Sequence, residues 1–286
     1  MRDLQLETIE RRLEGLYGSV DWSRQAGVLQ VVAIAASPRV VIALGPAAPT
    51  SGTDRFVLGV ARARADLVLT SGAILRAEPR LVHRFSDDPT EDDALQRWRR
   101  ERLGRDRPPA LGVLSRSGQI PADHPAFRFA QAGFVWTGRS GRARLGGRVG
   151  ALAVIDSVGD RSAGAGGRSA ESLGGAIAYA QSSGAATVLV EAGPTLARAL
   201  YSGPRRADGA GEALAEPPGS LDELLLSRFE GTLDPSAVGP AFVSDAAVQV
   251  RFPDPPSERR MEEPSGSWRF LRYRRASVPG HGNADV

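Results

Sequence analysis

The chain has 286 residues, 42% hydrophobic and 24% charged, enough apolar side chain to bury one large core or two modest ones. It contains no cysteine and three scattered histidines, which excludes disulfides, thiolate nucleophiles and Cys-based zinc sites, so no metal site is expected. The sequence pI of 9.9 overstates its basicity: the formal net charge is +3, and the densest basic run, Arg97 to Arg107, also carries Glu101 and Asp106, so it reads as a solvated helix face.

In chain order, residues 2–17 place Leu4, Leu6, Ile9, Leu13 and Leu16 at helical spacing, an amphipathic helix expected to precede the main domain. Residues 30–36 and 39–44 read as strands on either side of Ser37-Pro38, and residues 45–52 (GPAAPTSG) as a loop. A helix is expected over 54–64, a buried strand over 67–69, a turn at Thr70-Ser71-Gly72-Ala73 and a surface helix over 91–103. Strands follow at 110–114, 133–137 and 151–155, then a Gly/Ser-rich loop at 160–167, a helix at 170–182 and a strand at 187–190. This alternation predicts a mostly parallel sheet with helices on both faces. Residues 221–226, 247–252 and 268–273 read as antiparallel strands closing one edge, with an exposed insertion at 204–220 and a disordered tail at 276–286.

No apolar run approaches the ~20 residues that span a bilayer, and the N-terminus is charged throughout, so a cytoplasmic location and no membrane contact are expected. The four tryptophans show no grouping suited to stacking on bases, and no nucleic-acid partner is expected.

The stretch Thr187 to Leu200, TVLVEAGPTLARAL, carries the most chemistry. An apolar strand stops at Glu191, turns through Ala192-Gly193-Pro194 and restarts at helical spacing. Gly193 admits close approach of a ligand to the backbone, Pro194 suits a first helical turn, and the new helix aims free N–H groups above the strand, where a phosphate would sit. Glu191 stands at the carboxyl end of its strand, where open α/β sheets place ligands.

Taken in order, ARARADLVLTSGAILRAEPRLVHR (61–84), ALGVLSRSGQIPADHP (110–125), VLVEAGPTLARAL (188–200) and DEL (222–224) resemble the reductase domain of bacterial riboflavin biosynthesis proteins, a relative of dihydrofolate reductase. The resemblance runs over roughly residues 38–275, leaving 1–37 as an N-terminal helical extension. It implies a dihydrofolate reductase-like three-layer α/β fold, a homodimer, and NADPH-dependent reduction of 5-amino-6-(5-phosphoribosylamino)uracil. The family's substrate contacts fall on Arg62, Leu81, Arg84 and Glu191, with Arg62 and Arg84 on the substrate phosphate, a dianion that a guanidinium grips well. The cofactor contacts fall on Gly193, Pro194, Thr195, Leu196 and Ala197, with Ala73 and Ala77 at the nicotinamide end and Ser115 and Arg116 toward the adenosine side. His83 and His124 read as loop residues.

The chain departs from the family in three places. The Ser-Leu-Asp-Gly signature after the first strand is replaced by Pro46-Ala47-Ala48-Pro49-Thr50, the turn after the next strand is one residue short and lacks a threonine counterpart, and the acidic pair beyond it is reduced to Ala77-Glu78. Glu78 is a candidate for a polar or proton-donating role. With no cysteine, the chain also lacks the zinc-binding signature of the deaminase half of the bifunctional enzyme. Two alternatives stand beside the riboflavin-type reductase: a reductase of the same fold acting on a pteridine or small carbonyl compound, and a non-catalytic ligand-binding relative.

Overall fold

The computed structural model describes residues 2–43, 45–130, 132–156, 173–201 and 220–275. The expected loop at 160–167, the first residues of the expected 170–182 helix, nearly all of the 204–220 insertion and the 276–286 tail lie outside the described residues.

The sheet is built on seven parallel strands. From one side these are β9 (Glu223–Phe229), β1 (Gly27–Ala35), β8 (Thr187–Val190), β3 (Leu67–Ser71), β4 (Ala110–Leu114), β5 (Gly133–Thr137) and β7 (Leu152–Asp156). Antiparallel strands close both sides: β12 (Gly266–Arg274) and then β11 (Ser257–Glu263) beyond β9, and β6 (Arg148–Val149) beyond β7. β2 (Val40–Ile42) folds back on the end of β1 and pairs with β10 (Val238–Ala241). Strand content is high in β-branched and apolar residues, as strands covered on both faces require.

This architecture corrects several expectations. β1 is paired on both sides, so the sheet begins well before residue 38, and a boundary there falls inside the sheet. The N-terminal helix α1 (Arg2–Tyr17) buries Leu6, Ile9, Leu13 and Leu16 in the same cluster as Phe56 and Trp98, which makes it part of the core and not an appendage. The strand expected at 221–226 forms over Glu223–Phe229, and it runs parallel to β1 while meeting β12 antiparallel. Residues expected as a strand at 247–252 form instead the helix α9 (Asp245–Arg251), capped by Ser244, whose Oγ accepts from Ala247 N at 3.2 Å.

One face of the sheet carries α1, α2 (Gly52–Arg64) and α4 (Pro89–Glu101), and, further along, α3 (Gly72–Ala77), α5 (Pro125–Phe129) and α6 (Arg139–Leu145). The other face carries α7 (Leu173–Ser182), the one-turn helix α8 (Pro194–Ala197) and α9. Alternation along β8 shows the division: Leu189 joins the α1/α2/α4 cluster, and Val188 and Val190 join the α7 cluster.

An ionic cluster lies inside the first layer. Arg64, in the last turn of α2, donates to Glu223 through Nη1 at 2.9 Å and Nη2 at 3.0 Å, and Arg272 of β12 donates to the same carboxylate through Nε at 2.7 Å. Glu223 is fully buried, and the Trp22 ring packs against both guanidiniums, 5.0 and 4.7 Å from its centroid. Burial alone would raise the Glu223 carboxyl, but the two arginines outweigh it and hold it at about 2.

Candidate active site

Three neighbouring parallel strands, β8, β3 and β4, deliver their carboxyl ends side by side, in the register Leu69↔Val190 and Ser71↔Leu114. Ser71 caps α3 by accepting from Ile74 N at 3.3 Å, so the expected turn at 70–73 is the end of β3 passing directly into a helix. Gly72 is required here. A Cβ in its place would lie 2.6 Å from Ile120 Cγ2 and 3.0 Å from Ser115 Oγ, so the turn after β4 packs directly on the start of α3. The ends that carry Ala73 and Ser115 are thereby brought together.

Glu191 follows β8 and is anchored by its own N–H, which donates to Leu69 O at 2.9 Å. Its carboxylate is held in a two-pronged grip: Arg62 Nε donates to Oε1 and Nη2 to Oε2, both at 2.7 Å. Arg62 also donates through Nη1 to Arg84 O at 2.8 Å, tying α2, the 82–86 segment and the end of β8 into one unit. Burial pushes the Glu191 carboxyl up, but the Arg62 guanidinium more than compensates and leaves it below the usual carboxylate range. Arg62 is therefore committed to Glu191, and its expected role as a direct phosphate ligand is reduced to its remaining N–H groups.

Two further titratable groups stand beside this pair. Glu78 is half-buried, and burial followed by the nearby Glu191 charge raises its carboxyl above the ordinary value. Its backbone is fixed by His124, which caps α5, accepts from Ala126 N at 3.2 Å through Nδ1 and lies 2.9 Å from Glu78 O through Nε2. Since Nδ1 accepts, the proton is assigned to Nε2. His83 is a loop residue, as expected, but not a solvated one. Its side chain is 10% exposed, Nε2 sits 3.9 Å from Glu191 Oε2, beyond hydrogen-bond reach, and neither ring nitrogen has a partner among the described residues. Burial lowers its pKa to about 4, so the ring is neutral near pH 7.

On the α2 side of this unit a cavity of about 390 Å³ is lined by Arg12, Arg55, Arg62 and Arg84, with Asp87, Asp88 and Glu91 opposite. Arg12 is engaged there, donating to Glu91 at 2.9 Å and lying 3.8 Å over the Phe56 ring. Arg84 and Arg55 are exposed on its wall. Leu81 instead packs against the cluster under α5.

The positions expected to hold the cofactor are less uniform. Ala73 and Ala77 are exposed on α3, and Ser115 is buried while Arg116 is exposed, in a turn whose carbonyls accept from Thr137 Oγ1 at 2.6 and 3.3 Å. The helix after Glu191 is a single turn followed by a 3₁₀ turn over Arg198–Tyr201, too short to build a strong helix dipole. Within it, the N–H groups of Leu196 and Ala197 both donate to Gly193 O, at 3.0 and 3.1 Å, and Ala197 is buried in the α7 cluster. Those two residues therefore have neither amide nor, for Ala197, side chain to offer a ligand. Pro194 and Thr195 belong to the same turn, and their side chains lie outside the described residues. Gly193 is different: its φ is not positive, and a Cβ there would meet nothing within 4 Å. Neither strain nor packing within the described residues requires glycine at this spot, which leaves open space above the strand end that a cofactor could occupy.

The 46–50 loop that replaces the family signature turns toward the β11–β12 hairpin. Ser265 Oγ donates to Thr50 O at 2.7 Å, and the Glu263 carboxylate accepts from Gly52 N at 3.0 Å and Thr53 N at 3.3 Å.

Such a mixed, mostly parallel sheet with helices on both faces is a dihydrofolate reductase-like fold. Among solved structures, the chain is similar to a pyrimidine reductase-like protein from Corynebacterium diphtheriae, with 18% identity over 93% of this chain and 99% of that one and a TM-score of 0.56. It is also similar to RibD from Acinetobacter baumannii, with 16% identity over 88% of this chain and a TM-score of 0.50, spanning 59% of that protein's length. No family model matches the sequence, and no curated protein does. The chain thus has the fold of the riboflavin biosynthesis reductase domain that its sequence resembles.

Proposed function

We propose that this protein is an NADPH-dependent reductase of a phosphorylated ribosylaminopyrimidine, acting as a homodimer. The observation that carries the reading is the Arg62–Glu191 pair at the end of β8, set beside an arginine-lined cavity and an open turn at Gly193. The residues present fit a dinucleotide: a Cβ at Gly193 would meet nothing among the described residues within 4 Å, and the turn after β4 supplies the exposed Ser117 hydroxyl and Arg116. When bound, NADPH supplies the hydride.

The protein's own groups bind and orient. Arg84 and Arg55 hold the substrate phosphate in the cavity on the α2 side. Glu191, kept ionised by Arg62, accepts hydrogen bonds from substrate N–H or hydroxyl groups and fixes their orientation. Glu78, with its raised carboxyl, carries a proton at a pH where an ordinary glutamate has lost it, and donates it toward the reduced sugar.

The test is to incubate the purified protein with 5-amino-6-(5-phosphoribosylamino)uracil and NADPH, following nicotinamide absorbance, with NADPH binding titrated in parallel. Turnover supports the proposal. Absence of NADPH binding at millimolar concentration overturns it. A second reading, a reductase of the same fold with another substrate, is favoured by the 46–50 loop that leans on β11–β12 and by His83 buried beside Glu191. NADPH binding without turnover of the riboflavin intermediate selects it.

A further inference from the structure

The core on the first face of the sheet is split. Val68 of β3 belongs to the α1/α2/α4 cluster, while Leu111 of β4 and Ala126 of α5 belong to the cluster under α3, α5 and α6. Val68 and Leu111 are direct partners across the two strands, so the floor is continuous and the break lies above it. There the packing leaves a cleft of about 330 Å³ lined by Val68 and Leu111 of the sheet, Ala126 of α5, His83 and Phe85. The cleft opens to solvent among charged side chains, and its apolar lining and volume suit a ligand of one or two rings.

The mouth of the cleft is cationic. Arg99, Arg100, Arg105 and Arg107 line it together with Arg84, against Asp92 and Asp106. Part of this wall is rigid: Arg99 donates through Nη1 to Ala63 O and Ala65 O, both at 2.6 Å, and through Nε to Arg107 O at 2.8 Å. Arg105 pairs with Asp66 at 3.3 Å. Asp92 spends its carboxylate on the N–H groups of Phe85 and Ser86, at 2.8 and 3.0 Å. Arg100 and Arg107 are exposed at the entrance. The His83 ring also lines the cleft, its nitrogens buried without partners among the described residues, a state that a hydrogen-bonding ligand would relieve.

We propose that this seam is a second binding site, for a small aromatic anion whose ring lies on Val68 and Leu111, whose charge faces Arg100 and Arg107, and whose hydrogen-bonding end meets His83. Rotation of the His83 ring presents a nitrogen to that end. The cleft adjoins the arginine-lined cavity on the α2 side, with which it shares Arg84 and Phe85, but its Val68, Leu111, Ala126, Arg100 and Arg107 line no part of that cavity.

The probe is 6-hydroxy-2-naphthoate, which carries a hydroxyl and a carboxylate at opposite ends of two fused rings, with uncharged 2-naphthol as control, titrated by fluorescence into the full chain. Saturable naphthoate binding is expected, weakened about tenfold or more in the Arg100→Glu/Arg107→Glu variant while 2-naphthol binding is unmoved. Ala126→Phe, which fills the cleft, is expected to abolish binding of both probes and leave NADPH titration unchanged. The proposal is overturned by absence of saturable binding up to about 5 mM, or by affinities that the charge-reversal variant leaves unaltered. The charge-reversal variant alters only exposed side chains, so it decides the matter even if Ala126→Phe fails to fold.

Discussion

Arg62 and Arg64 are two residues apart on the same helical turn, and each grips a glutamate with a bidentate pair, yet the surroundings of the two pairs differ. Arg64–Glu223 is sealed: a second arginine completes the carboxylate, Trp22 covers the guanidiniums, and the Arg64 and Glu223 side chains are 2% and 0% exposed. Arg62–Glu191 lies at the carboxyl end of the sheet, with an unpartnered histidine, a second glutamate of raised pKa and an arginine-lined cavity around it. The same pair of residue types thus serves as an internal fastening in one place and as a candidate binding element in the other, and what separates them is the company each keeps.

The largest expected effect falls on the sealed pair. Glu223→Ala strands two buried guanidiniums and is expected to cost about 3–5 kcal/mol in urea denaturation. Glu191→Ala, at the more open pair, is expected to cost roughly 1–2 kcal/mol and, on the proposed function, to lower turnover about 100-fold. Equal stability losses at the two sites would dissolve the distinction.

The pH dependence of stability separates the regions again. Glu223 has a folded pKa of about 2 against an ordinary 4.5, so its contribution is complete above 4.5 and is lost as the pH falls toward 2. His83 has a folded pKa of about 4 against 6.5, so the unfolded chain takes up a proton that the folded one refuses, and stability falls between pH 6.5 and 4. His83→Phe is expected to flatten the slope in the upper window alone, read from urea midpoints at several pH values. The smallest effect on stability is expected at Gly193→Val, within about 0.5 kcal/mol because the Cβ stands in open space, while NADPH affinity falls about tenfold or more. A variant that keeps its NADPH affinity would remove Gly193 from the cofactor site.

Much of this was legible in the sequence. The apolar runs at 110–114, 133–137 and 187–190 are strands with those bounds, because buried parallel strands announce themselves by continuous hydrophobicity. The 247–252 segment misled because Val248, Val250 and Phe252 alternate as in a strand; in the helix Val248 and Phe252 are buried one turn apart and Val250 points out, 79% exposed. β11, SERRMEE, offered no apolar pattern, since it is an edge strand held by β12 and by pairs such as Arg269–Glu258. In the site, Arg62 and Glu191 were found, but their bond to each other was not, for nothing local connects residues 129 apart. The burial of His83 was equally hidden, because the loop that carries it packs through the distant Phe85 carbonyl against Gly59 of α2, where a side chain would strike that carbonyl.

The placement of β1 bears on how the chain is made. Its partners are β8 and β9, and the Val28–Asp222 contact spans 194 residues, so β1 is made long before it can be enclosed. At typical elongation rates roughly 10–40 s pass before the edge that takes β9 can be covered, long enough for a chaperone or a neighbouring nascent chain to reach it first. Slowing translation between residues 36 and 223 should therefore lower the yield of folded protein more than the same delay placed after residue 230.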